Sequence, residues 1–160
     1  MRGRREIPPP SGEYRWPVRA VWMLMAVVFF AAGVAKLKRS GLEWAFSDNM
    51  SNTFVQRHYV GYPKLRWGLW LAQYPVLCWA LGFITLAAEI GAPLALVSRR
   101  ARRVLIPTLF MMQVGNDLLL GVAFWQFMTA YVFWVNWPWS LEKLRRRVPR
   151  SAQPALRATP

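Results

Sequence analysis

Between Arg19 and Lys36 lie sixteen residues, AVWMLMAVVFFAAGVA, without one charged side chain. As a helix this stretch is about 24 Å long. That is somewhat short of a hydrocarbon core of roughly 30 Å, and Arg19, Lys36 and Lys38 can snorkel outward to close the gap. Two longer apolar blocks follow: residues 67–97, 31 positions with Gln73 and Glu89 as their strongly polar members, and residues 104–139, 36 positions. Charges fall between the blocks rather than within them, a segregation typical of chains that live in a bilayer.

Neither long block fits one straight helix, since they would measure about 46 Å and about 54 Å. Pro75 offers a break in the first, giving an interfacial turn at 67–74 and a span at about 75–97. Gly121 offers a tight turn in the second, giving spans at about 104–120 and 122–139. With the first span at about 18–37, the expected fold is all-α, an integral membrane four-helix bundle. Residues 38–66 mix Trp44, Phe46, Phe54, Tyr59 and Tyr62 with polar groups. They are expected to form a partly helical, amphipathic interfacial segment between the first and second spans. Residues 1–15, with Pro8, Pro9 and Pro10, read as a basic flexible tail, and residues 141–160 as a second one. A rival reading takes the first block as a signal peptide cut after Gly33-Val34-Ala35. Its basic leader is long for that, and further apolar blocks follow.

The formal net charge is +14. Such a chain could bind nucleic acid, but the arginines sit directly beside apolar blocks, so anionic headgroups are the expected counter-charge and nucleic acid is not an expected partner. With four spans, fifteen of the 21 basic residues lie on one side and six on the other. The positive-inside rule then puts both termini in the cytoplasm, in a bacterial inner membrane. Trp16, Trp134, Trp137 and Trp139 fall near the inner interface and Trp67, Trp70 and Trp125 near the outer one, as aromatic belts do. A three-span alternative would leave the carboxy-terminal arginines outside, against the charge rule.

An ionisable group inside a span is costly unless paired or hydrated, and so is a candidate functional group. Lys36 closes the first block, with Phe29, Ala32 and Gly33 on its face. It reads either as a snorkelling end-marker or as a functional amine at the lip of a buried site. Gln113, Asn116 and Asp117 share one face of the third span at i, i+3 and i+4. They read either as interhelical hydrogen-bond glue or, with Lys36, as an ion pair or small polar pocket near the outer level. Glu89, deep in the second span with Thr85 and Ala92 on its face, should be protonated or paired. It reads as a structural partner or a proton relay. One cysteine, Cys78, and one histidine, His58, leave the usual zinc and iron spacings missing, so no metal is expected.

AAGVAKL at 31–37, Arg57-His58-Tyr59, EIGAP at 89–93, QVGN at 113–116 and the adjoining LLLGVAFWQF resemble the membrane domain of vitamin K-dependent gamma-carboxylases. That domain defines the horizontally transferred transmembrane (HTTM) domain family. The likeness runs from about residue 15 to 145. A weaker one links the first span to DoxX-like four-helix membrane proteins. The resemblance implies that Lys36 matches a lysine coupled to quinol oxygenation, that Arg57 and His58 match an arginine–histidine–aromatic motif, and that Glu89 matches an acidic position. The family has histidine where Gln113 stands and continues for hundreds of residues beyond such a core, so the expectation is a truncated form. It keeps the helical core and a lipid- or quinone-sized groove rather than protein carboxylation.

The expected function is a non-enzymatic accessory or scaffold subunit of a larger membrane complex, with membrane lipids and other membrane subunits as partners. The alternative is a quinone- or lipid-binding redox-linked enzyme. Its candidate catalytic residue is Lys36, with His58 and Asp117, and its candidate ligand-binding residues are Arg57, Glu89, Gln113 and Asn116. A second alternative is an oligomeric transporter with Glu89 as relay.

Overall fold

The structure is a computed structural model and describes residues 16–61 and 63–135. Both tails, Tyr62, Trp137, Trp139 and the end of the last apolar block lie outside the described residues. Among the described residues all regular structure is helical.

Helix α1, Trp16–Ser40, carries Pro17 in its first turn, where its missing N–H costs nothing, and Lys38 and Arg39 in its last, where their charge is favourable at the negative end of the helix dipole. It is long and apolar enough to cross a membrane. The interfacial segment folds as α2, Glu43–Phe46, and α3, Asn49–Val60, and the turn before Pro75 as α4, Trp67–Ala72. Helix α5, Pro75–Gly91, starts on the proline that ends the preceding turn, and it is apolar but shorter than α1. Pro93 has no N–H to continue the ladder, so a turn at 92–93 separates α5 from α6, Leu94–Val97. Helix α7, Arg99–Leu120, is capped by the Ser98 hydroxyl, which accepts from the Ala101 N–H at 3.3 Å.

Helix α7 ends where Gly121 turns left-handed, at φ 67°, and its N–H folds back onto the Asn116 carbonyl. The chain does not pass directly into another helix after this glycine. Residues 121–124 are non-helical, α8 spans Trp125–Ala130, and a 3₁₀ turn occupies Tyr131–Trp134. Six residues are too few to nucleate a stable helix alone, so packing holds α8. Phe127 meets Phe29 at 6.1 Å between ring centroids, and Tyr131 meets Phe110 at 5.2 Å.

Helix α5 is the hub, touching α1, α2, α3, α4 and α7. Ala92 packs with Met25 and Phe29, Gly33 faces Glu89 and Ile90, and Ala45 faces Gly82. Rising numbers on α1 thus meet falling numbers on α5, so the two run antiparallel. Leu105 beside Gly91 and Leu109 beside Ala88 reverse the direction again for α7. The α8 and 3₁₀ segment returns from Leu120 towards Trp22. Met25, Phe29, Ala88, Ala92, Leu109 and Tyr131 form the core where these segments meet.

At the Trp22 end Arg102 ties the bundle together. Its Nε donates to the Ala95 carbonyl at 2.8 Å and one Nη to that of Leu96 at 3.2 Å. The guanidinium lies 4.5 Å from the Trp22 ring and 5.5 Å from that of Trp134, and the two rings stack at 4.7 Å. A cation at the amino end of α7 opposes that helix's dipole, but this one is spent on the carbonyl end of α6, where the sign is favourable.

Candidate functional site

The polar groups inside the apolar helices do not gather into one centre. They form two lysine–carboxylate pairs. The first joins Lys36 of α1 to Glu89 of α5. Side chains on a helix lean towards its amino terminus, so Lys36 points back along α1 towards Glu89 rather than beyond the helix end. Gly33, one turn earlier, makes the reach short enough. A Cβ there would come within 2.9 Å of Ile90 Cδ1 and 3.0 Å of Glu89 Cβ, so only glycine lets α1 approach α5 this closely. Lys36 Nζ also lies 4.6 Å from the centroid of the Trp44 ring, which covers the ammonium from α2. Glu89 is buried, with its side chain 5% exposed against 25% for Lys36.

The second pair joins Lys64 to Asp117 of α7 at 2.6 Å. Lys64 comes from the connection between α3 and α4, which is pinned to α7 where the Leu65 N–H donates to the Leu118 carbonyl at 2.9 Å. Trp125 lies 5.0 Å from the Lys64 ammonium. The environment is wetter than that of the first pair, since the Lys64 side chain is 50% exposed. Gln113 and Asp117 are buried and Asn116 half-buried, and the Asn116 amide donates to Gln113 Oε1 at 3.5 Å.

The Lys36–Asp117 ion pair, one of the two alternatives for this cluster, does not form. Each finds another partner, because α5 stands beside α1 and presents Glu89 to it, while Lys64 and Leu65 lie against the end of α7. Arg57 is exposed and His58 half-exposed at the end of α3. The His58 ring stands edge-on to Tyr59 at 5.3 Å. Among the described residues neither Arg57 nor His58 bonds to Lys36 or Asp117. Lys64, Trp44 and Trp125 are site residues that the sequence reading missed. Lys64 and Trp44 lie in the segment whose sequence reads as interfacial, and Trp125 reads as part of the outer aromatic belt. A lysine near a span end opposite a buried aspartate was the signal that could have found the second pair.

Chemically, each pair uses an ammonium as donor and a carboxylate as acceptor, and an ammonium so engaged has no lone pair to offer a substrate. Glu89 Oε2 and Asp117 Oδ1 are buried with no hydrogen-bond partner among the described residues. Among those residues no three metal-ligating side chains cluster.

Beside the pairs, α3, α5 and α7 enclose a groove of about 390 Å³. Its walls are mostly apolar, with Phe54, Ile84 and Met112 among them, and Thr85, Thr108 and Asn116 as polar members. Comparison with protein-family models, curated proteins and solved structures finds no match to this chain.

Proposed function

We propose that the chain is a four-crossing integral membrane protein of a bacterial inner membrane, with both termini cytoplasmic, and that it serves as a non-enzymatic accessory or scaffold subunit of a larger membrane assembly. The crossings in this reading are α1, α5 with α6, α7, and the segment that includes α8.

The observation that carries the reading is the fate of the polar groups. Both carboxylates of the apolar helices are matched by lysines, while the outer surfaces of α1 and α5 stay apolar. Leu24, Val27, Val76 and Phe83 are each at least half exposed, at 63%, 58%, 70% and 50%. A surface of that kind is unfavourable in water and suits lipid or a packed protein neighbour. The antiparallel order of the segments supports four crossings. The fifteen-to-six division of basic residues then supports the orientation. An enzyme built on Lys36 with His58 and Asp117 would need those groups together, and Lys36 is committed to Glu89 instead.

The test is purification of the tagged, native-level protein in a gentle detergent, followed by native electrophoresis and identification of co-migrating proteins. A defined larger assembly is expected. A lone monomer under those conditions would overturn the subunit role.

A further inference from the structure

We propose that the groove between α3, α5 and α7 holds one acyl chain of an anionic phospholipid, with its phosphate at Arg57 and His58. The proposal rests on the membrane placement proposed for the chain and names a ligand for one face of the bundle.

The first ground is Gly115. A glycine inside a helix costs about 1 kcal/mol relative to alanine, so a packing reason is expected. Gly33 has one, since α5 lies against it. Gly115 does not: a Cβ built there meets nothing within 4 Å. It lines the groove in the last third of α7, and what its missing side chain widens is groove space.

The second ground is shape. Lining residues run along α7 from Pro107 to Leu120, a rise of about 20 Å. One hydrocarbon leaflet is roughly 15 Å deep, so a single chain can lie along α7 for the depth of its leaflet. Leu81, Ile84 and Met111 are lining residues that are also exposed, so the groove opens sideways, where a lipid tail can enter.

The third ground is charge at one mouth. Met50 and Phe54 line the groove from α3. Arg57 and His58 follow on the same face at i+7 and i+8 from Met50. They sit where α3 ends against α7, since a Cβ on Gly61 would stand 3.3 Å from the Leu120 carbonyl. Arg57 makes no ion pair among the described residues, unlike Lys36 and Lys64. A cation and an imidazole at the interfacial end of an apolar groove suit a phosphate attached to a chain.

The full-length protein, purified in a mild detergent, would be titrated with phosphatidylglycerol or phosphatidylcholine of identical chains, and bound lipids counted by native mass spectrometry. One phosphatidylglycerol should bind in preference to phosphatidylcholine. Gly115→Phe, whose Cβ would meet nothing within 4 Å, puts a ring into the groove and should weaken binding of both lipids by about tenfold, as expected for a displaced chain. Gly115→Leu, a smaller filler, should weaken both less and guards against misfolding of the first variant. Arg57→Gln removes a contact to the phosphate that both lipids carry, and should weaken phosphatidylglycerol more than phosphatidylcholine so that the preference is lost. Equal binding of the two lipids by the wild type, full binding by both Gly115 variants, or displacement of phosphatidylglycerol by an equimolar neutral isoprenoid quinone would each overturn the proposal. A chain that stays soluble without detergent would instead remove the membrane placement, whatever its lipid counts.

Discussion

Lys36 and Glu89, 53 positions apart in sequence, form an ion pair across the α1–α5 contact, beneath the ring of Trp44. Gly33 permits the contact and the lean of the lysine along α1 completes it. The pair therefore fixes both the rotation of α1 and its height against α5, which aliphatic packing alone specifies loosely.

Breaking the pair from one side should be worse than removing it. Lys36→Met leaves the Glu89 carboxylate buried without its cation and should cost about 3–5 kcal/mol. The double variant Lys36→Met, Glu89→Leu should recover at least half of that loss. Thermal melting in one detergent checks both, and equal losses for single and double variants would show that the charges do not interact.

The two glycines of opposite surroundings should respond in opposite ways. Gly33→Val forces side-chain atoms into Ile90 and Glu89 and should destabilise by about 1–3 kcal/mol. Gly115→Ala meets open space and should be neutral or stabilising by up to about 1 kcal/mol through helix propensity. Melting temperatures of the two variants decide between this contrast and a uniform effect of added methyl groups.

Lys64→Met should be milder than Lys36→Met. Its ammonium is half in solvent, so the pair is partly screened, but Asp117 stays buried, and a loss of about 1–3 kcal/mol is expected. Raising the salt concentration should narrow the gap between Lys64→Met and wild type more than that between Lys36→Met and wild type. A salt response of the same size in both variants would contradict the difference in burial.

Arg102 acts through its planar fork and its two tryptophan neighbours, so lysine is a poor substitute. Arg102→Ala and Arg102→Lys should both destabilise, by about 1–3 kcal/mol, because the Ala95 and Leu96 carbonyls lose a donor. Full rescue by lysine, measured by melting, would reduce Arg102 to a simple point charge.

Some helix ends of the structure fall at cues that are local in sequence, while Pro93 breaks the apolar run 75–97 and α7 starts at Arg99, ahead of its apolar block. Pro75 starts α5, Gly121 ends α7, and Gln113 and Asp117 are buried on the face their spacing defines. The pairing of Lys36 was not legible for a physical reason. Which carboxylate a lysine meets depends on the order of neighbours around the bundle and on their vertical offset, and one strand of sequence encodes neither. Glu89 and Asp117 were both candidates by composition, and only the position of α5 between α1 and α7 separates them. The fourth apolar segment shows a different limit of hydropathy. Its hydropathy continues through residues 122–134, but the helical hydrogen bonding does not, since burial against Phe29 and Phe110 holds it without a continuous ladder.

The membrane reading itself makes a labelling prediction that suits this chain. Its one cysteine, Cys78, is buried at 1% exposure, so wild-type protein should give no background with a membrane-impermeant maleimide. Lys38→Cys, near the end of α1, should label in intact cells or right-side-out vesicles. Arg100→Cys, at the exposed start of α7, should label only after the membrane is opened. Both positions carry exposed side chains, so a protein lacking any membrane would label equally at the two. Labelling of Arg100→Cys from outside together with protection of Lys38→Cys would invert the orientation and put fifteen cations on the wrong face.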